Sequence, residues 1–520
     1  MQCIQKVYNS FQKANPEKFN SNLISMREKE KEDLHSYFVD VFSSLRLSGI
    51  DYQFSETITD ESEFHKYVKT EKVDIEESRY DLIRAKFELT SEAENERQTV
   101  WLNLFFPKIV NKYFFQLKGS TYNAVYQITD RNFYPDVSHN NISAVYLKSL
   151  LMPLGVHAMP REEIEYFNAD KNEKENMHGY EFVLDFFRRK QTNTYKNMMY
   201  FFFVKFGIQG TIDKLFNGAN GNYIEFVESE SKEPETYDKG WNYIRIRDGL
   251  YLRFKNLNNT DSLEYRYLVS TFFFAFKNIR KNSAIDDADY WKKKILTSPT
   301  AKLDKADKAI YSLERVLDDR TKKNLLPELK DPELCEDVYG VIKWITYNFH
   351  SYLLSIDMVD LENRRLRLYE YMLYPLLRKL SDASYRILNS RRVTIKRLIN
   401  VFSNIGPEYI VRNLLTNELF RYSNASSSMD FFQSLKFSAC GPQAIGSGKA
   451  TIKFKTVHPS YVGTIGLNTA SATDPGLTGT ICPMTDNIDN MQFGFHSDRK
   501  AYNTADEAFI LHSFDGENNV

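Results

Sequence analysis

YDLIRAKFEL, residues 80–89, decides how the first part of this chain folds. Ile83, Ala85, Phe87 and Leu89 alternate with charged residues, the period-two pattern of a strand with one buried face. TVWLNLFF (99–106), KYFFQL (112–117) and YNAVYQIT (122–129) continue the pattern, separated by SEAENERQ and KGS. Successive short strands with polar breaks predict an antiparallel sheet built of hairpins. Upstream, SMREKEKEDLHSYFVDVFSSL (25–45) has helical spacing, with Leu34, Phe38, Val41 and Leu45 opposite a charged face.

Downstream the pattern is mixed. YIRIRDGLYLRF (243–254) reads as two strands joined by Asp248-Gly249, the dipeptide of a type I′ turn. MMYFFFVKFG (198–207) and STFFFAF (270–276) are too short to span a bilayer and belong in a core. After Ala301 the chain reads as helical through AKLDKADKAIYSLERVL, VYGVIKWITYNFHSYLL, LENRRLRLYEYMLYPLLRKL and VRNLLTNELFRY. From Ser423 onward it reads as loop and short strand. The fold class expected is α+β, multi-domain, ending in a helical and loop-rich region.

The chain has 520 residues, room for roughly three domains. Cys3, Cys335, Cys440 and Cys482 match neither a disulfide framework nor a paired-cysteine zinc pattern, which points to a reducing compartment. The N-terminus has no secretory core and no stretch is long enough for a membrane helix, so a soluble, cytoplasmic protein without a membrane partner is expected. Net charge is −1, from 68 basic and 69 acidic residues, so the balance itself names no partner. Its distribution is more telling: Leu361 to Asn400 carries ten Lys or Arg against three acids, whereas residues 501–520 carry four acids and no Lys or Arg.

Three stretches invite a chemical reading. GSGKAT (446–451) resembles a phosphate loop, but Gln443 stands where the first glycine belongs and Ala450 where a Ser or Thr would hold magnesium. It reads as a flexible turn. Asp286, Asp287 and Asp289 could hold a metal, yet acids opening a helix explain them as well. The basic segment from Asp357 to Arg397 would normally be a solvated helix face. Here it precedes a segment, Ala425 to Thr485, where only Asp430 and Asp474 oppose Lys436, Lys449, Lys453 and Lys455. A polyanion could approach such a backbone closely, which suits a nucleic-acid wall.

The order of these motifs resembles the N-terminal half of the β subunit of multisubunit DNA-directed RNA polymerases. DMVDLENRRLR (357–367) is similar to the family's D-x-D-x-L-x-N-R-R-x-R, Met429-Asp430 to its M-D, SACGPQAIGSGK (438–449) to S-A-L-G-P-G-G, and VHPSYVG (457–463) to V-H-P-x-x-x-G. YFFQLKGSTYNAVYQ (113–127) looks like the family's strand pair ending V-S-Q, with Tyr122 at an acidic position. NTASATDPG (468–476) replaces E-T-P-E-G-P-N, leaving Asp474 as a stand-in acid. The resemblance is specific over residues 340–484 and only topological before that.

What the resemblance implies is a split β subunit of the kind found in giant bacteriophages. Residues 1–150 would be a protrusion-like α+β domain, 151–345 a lobe-like one, 346–425 a basic helical region returning to the protrusion, and 426–520 a fork-loop and hybrid-binding region with an acidic tail. The tail beyond Asn487 would dock on a partner chain. Asp360 and Arg364 would contact a nontemplate base, with Arg365 and Arg367 beside them. Gln443 to Ala450 would form a fork loop, with Lys449 its phosphate contact, and Asp430, Lys436 and Ser438 would line the rifamycin-pocket position beside nascent RNA. The partners implied are the C-terminal half of β, β′ chains, template and nontemplate DNA, nascent RNA and a promoter-specificity factor. Catalytic Mg2+ would be held by a β′ chain and none by this one, which would be inactive alone. The alternative from another class is a phage structural or DNA-binding scaffold protein.

Overall fold

The structure, a computed structural model, describes most residues from Ile50 to Phe495 and a few between Glu28 and Phe42. The larger stretches outside it are 73–78, 186–194, 217–223, 230–235, 256–262, 280–284, 297–301, 351–358, 389–393, 424–435, 445–454 and 467–475. The fold is mixed α+β, as expected. Two compact units divide the chain: residues 1–131 with 357–520, and residues 132–356 between them.

The first unit begins with three antiparallel strands, Ile50–Ile58, Tyr80–Ser91 and Glu96–Pro107, with the YDLIRAKFEL strand in the middle. Ile83, Ala85, Phe87 and Leu89 are fully buried, as their alternation requires. Phe38 and Phe42 pack on Phe87 from the N-terminal side, while Val41 and Leu45 of the expected apolar face lie outside the described residues. From the C-terminal side, Phe402 of the helix Ile395–Ser403 stacks on Phe42 with ring centroids 5.2 Å apart and lies 5.0 Å from Phe87. Segments more than 300 residues apart in sequence thus share one aromatic core.

A second sheet in this unit orders Phe420–Tyr422, Ser120–Ala124, Phe114–Leu117 and Ile109–Val110. Its hairpin closes at Lys118-Gly119, with Leu117 opposite Ser120 and positive φ at both turn residues (50° and 71°). That is the geometry of a type I′ turn. The Asp248-Gly249 hairpin of the other unit closes differently. Only Gly249 has positive φ there (79°), and the register shifts between Arg245 and Arg247, so a bulge replaces the expected primed turn. A Cβ on Gly249 would lie 2.8 Å from the Ser229 carbonyl oxygen, which keeps the position a glycine.

Residues 132–356 build an eight-stranded sheet around the long hairpin Pro153–Asn168 and Glu173–Asp185. Phe133–Ser138 and Asn141–Lys148 belong to it because Asn141–Lys148 pairs with Pro153–Asn168. Helices Met198–Leu215, Leu263–Phe276 and Val338–Tyr347 cover the sheet, and the two short aromatic runs lie on the first two of them. Their core joins Phe203, Phe276 and the fully buried Trp291, whose indole N–H donates to Ile285 O at 2.7 Å. Asp287 caps the helix Ala288–Ile295 by accepting from Asp289 N, so the acidic triplet opens a helix. Among the described residues no helix is long and apolar enough to cross a membrane.

Candidate nucleic-acid interface

The third sheet of the first unit gathers the resemblance-bearing segments. Its seven strands run in the order Ile465–Gly466, Thr478–Ile481, Lys436–Ser438, Tyr126–Asp130, Arg364–Arg367, Gln492–Phe495 and Thr485–Ile488. Tyr126–Asp130 is central, and Tyr126, Gln127, Ile128 and Thr129 are all buried. Lys436–Ser438 pairs with it in parallel and Arg364–Arg367 antiparallel, Arg367 opposite Gln127 and Arg364 opposite Asp130. Helical periodicity through LENRRLRLYEY had suggested one continuous helix. The arginines instead form a strand and the helix begins at Glu370, because ladder pairing in the sheet outweighs a weak local preference. Gln492–Phe495 pairs with the arginine strand, so the segment after Asn487 adds strands to this chain's own sheet as far as Phe495.

A buried polar chain ties the motifs together. Arg367, 1% exposed, donates from Nε to Gln127 Oε1 at 2.8 Å, and its Nη2 donates to the same oxygen. Gln127, wholly buried, donates from Nε2 to Cys440 O at 3.1 Å. Ser438 Oγ bonds the same carbonyl at 3.2 Å and accepts from Cys440 N at 3.2 Å. Gly441 follows with φ of 119°, and a Cβ there would lie 2.9 Å from Gln127 Nε2. Both the backbone angle and the close approach require glycine in the SACGPQ turn. Burial pushes the neighbouring Tyr126 phenol far above its ordinary pKa, so this interior stays neutral at that position.

The V-H-P loop docks on the opposite motif. Leu361 N donates to Ser460 Oγ at 3.0 Å, and that oxygen lies 2.8 Å from His458 Nδ1. Ser460 N also donates to His458 Nδ1 at 3.2 Å, which makes Nδ1 the acceptor and leaves the ring proton on Nε2. Tyr461 is buried beneath the turn. Two backbone bonds hold the rest: Ala439 N to Leu477 O at 2.8 Å and Gly476 N to Lys455 O at 3.1 Å.

The sequence-predicted residues divide into three groups. Arg364, Arg367 and Ser438 are buried, at 3%, 1% and 6% exposure, and their side chains face protein rather than solvent. Asp360 and Arg365 are half-buried, and Lys436 is exposed. Asp430, Gln443, Lys449 and Asp474 lie outside the described residues. Lys436 stands opposite Thr480 and two positions from Ser438, which faces the half-exposed Thr478. Among the described residues no carboxylate pairs with Lys436, so this strand pair carries one exposed cation and two part-exposed hydroxyls, a set of groups that an anionic backbone could use.

Sequence reasoning missed Gln127, Gly441 and Ser460, which hold the motifs together. A signal existed for Gln127, the last residue of YFFQLKGSTYNAVYQ. Among the described residues no three His, Cys, Asp or Glu side chains are placed to hold a metal ion together.

Residues 1–502 match the model of a protein family described as "Non-virion RNA polymerase subunit". No curated protein matches the chain.

Proposed function

The chain belongs to the non-virion RNA polymerase subunit family, and on that premise we propose that it is the β N-terminal-half subunit of a split phage enzyme, lining the RNA–DNA hybrid and the downstream fork. Membership makes it part of a nucleotidyltransferase complex and decides against the scaffold alternative. The observation that carries the finer reading is the convergence of residues 359–361, 364–367, 436–441, 455–461 and 476–481 in and around the sheet centred on Tyr126–Asp130. Segments spread over more than 350 residues that carry the resemblance meet in one place, which supports their being used together.

In this reading the buried groups and the exposed ones have different tasks. Arg367, Gln127, Ser438 and Gly441 are positioning residues that fix the SACGPQ turn, while Lys436 and the hydroxyls of Thr478 and Thr480 meet phosphates. Arg364 anchors the arginine strand from within, and Asp360 and Arg365 border the fork. One cation among hydroxyls grips weakly at each register, which lets a hybrid slide past. Asp430, Gln443, Lys449 and Asp474 belong to the same proposed surface. The remaining β half, the β′ chains and a promoter-specificity factor are its proposed protein partners. In this reading a β′ chain holds the catalytic Mg2+.

The test is primer extension on an RNA–DNA scaffold by the assembled enzyme carrying Lys436→Glu. Assembly should be unchanged while extension becomes short and more salt-sensitive. Full-length extension at every salt concentration would remove Lys436 from the hybrid.

A further inference from the structure

The outer face of the three-stranded sheet is unlike an ordinary solvated surface. Trp101 stands on it 46% exposed, the most exposed tryptophan of the described residues. Directly across in the register is Lys86, and diagonally Arg84, opposite Asn103. The Arg84 guanidinium carbon sits 4.7 Å from the Trp101 ring centre and 6.0 Å from that of Tyr67, on the helix Glu61–Glu71; Lys86 Nζ is 6.0 Å from Trp101. Aromatic and cation therefore alternate as Tyr67, Arg84, Trp101, Lys86. The neighbours on this face are Ser55, Thr57, Thr99 and Asn103, small polar groups that leave the indole standing clear.

We propose that this face binds single-stranded nucleic acid, with a base stacked on Trp101 and the backbone drawn by Arg84 and Lys86. The charges on the face favour that occupant. Arg84, Lys86 and Arg97 outnumber Glu88 and Asp51, and Glu88 is already engaged by Lys86 and by Arg97 at 2.8 Å. Among the described residues no carboxylate pairs with Arg84, whose Nε is steered by Asn103 Oδ1 at 3.3 Å. An apolar protein surface would find only the Trp101 indole and the half-buried Tyr67 ring to cover here, among hydroxyls and amides that it would strip of water. A base needs one ring, because every base has a stacking face, and its phosphate needs the adjacent cation. Exposed cation–aromatic pairs are themselves weak, so shifting Arg84 off the indole to admit a base costs little. The inference rests on this sheet alone and stands or falls apart from the hybrid-lining reading.

The experiment titrates the full-length chain with dye-labelled oligothymidylate and with a duplex of equal length, following anisotropy and tryptophan emission. Trp101→Ala should weaken single-strand binding by ~10-fold or more and leave duplex binding within about twofold. Arg84→Gln should weaken it by about threefold and flatten its salt dependence. Oligothymidylate should quench part of the tryptophan emission of the parent chain, and Trp101→Phe should abolish that quench while retaining most of the affinity. Single-strand affinity unchanged in Trp101→Ala, equal losses for single strand and duplex, or a quench surviving Trp101→Phe would each overturn the proposal. So would release of a co-purifying protein subunit by Trp101→Ala with oligonucleotide binding intact, which would make the face a protein interface.

Discussion

Residues 132–356 fold as one uninterrupted run, whereas the other unit is assembled from two runs that this segment separates. Both units have aromatic cores, but they differ in what spans the sequence. In residues 132–356 Trp291, Phe203 and Phe276 are in mutual contact, with the indole N–H satisfied by Ile285 O close by in sequence. In the two-run unit the seven-stranded sheet also joins Tyr126–Asp130, Arg364–Arg367 and Lys436–Ser438 through buried hydrogen bonds among Gln127, Arg367 and Cys440. Apolar packing is non-directional and tolerates repacking, while a buried polar chain permits one arrangement and penalises every broken link. A unit that must hold distant motifs in register is better served by the second.

The largest expected effect lies in the apolar interior. Trp291→Ala should destabilise its unit by about 3–5 kcal/mol, since it removes a fully buried ring, and urea unfolding monitored by circular dichroism measures it. Arg367→Met comes next, at about 1.5–3 kcal/mol, because Gln127 Oε1 loses a charged donor where water cannot replace it. A loss as small as that of a surface substitution would erase the contrast between the two interiors. Gly441→Ala should cost about 1–3 kcal/mol from its backbone angle, and it should impair extension by the assembled enzyme more than its melting shift accounts for. Asp287→Ala should cost ~1 kcal/mol by removing a helix cap, with no effect on extension. Lys436→Ala should leave the midpoint of thermal unfolding within measurement error and alter only nucleic-acid contacts.

The fold was legible where a local period governs it. Alternation in YDLIRAKFEL specifies which side chains are buried, and the register with Glu96–Pro107 follows from that face. The aromatic runs at 198–207 and 270–276 were legible as core but not as helices, since a short apolar run fits either period. Turn chemistry misled once: Asp248-Gly249 has the residues of a primed turn, but a bulge beside it takes up the twist, while the less typical Lys118-Gly119 adopts it. The interface was legible as a set of motifs in order and not as a geometry. Arg364, Arg367 and Ser438 look like contacts from their charge and polarity, yet strand pairing with Tyr126–Asp130 turns them inward, a long-range effect that no local window contains. Gln127 carries no charge, and its one sequence signal is its place at the end of YFFQLKGSTYNAVYQ, so its part in joining three segments emerges only when they meet.

The central claim, that Lys436 and its strand face the nucleic acid of a transcribing enzyme, is tested most directly by site-specific photocrosslinking. A photoreactive benzophenone side chain at position 436 would be carried into the assembled enzyme, halted on a scaffold with labelled RNA and labelled template. The account predicts a crosslink to RNA or template within the hybrid that moves in step as the enzyme advances by one nucleotide. A probe at 436 that labels only protein, in complexes still able to extend RNA, would contradict it.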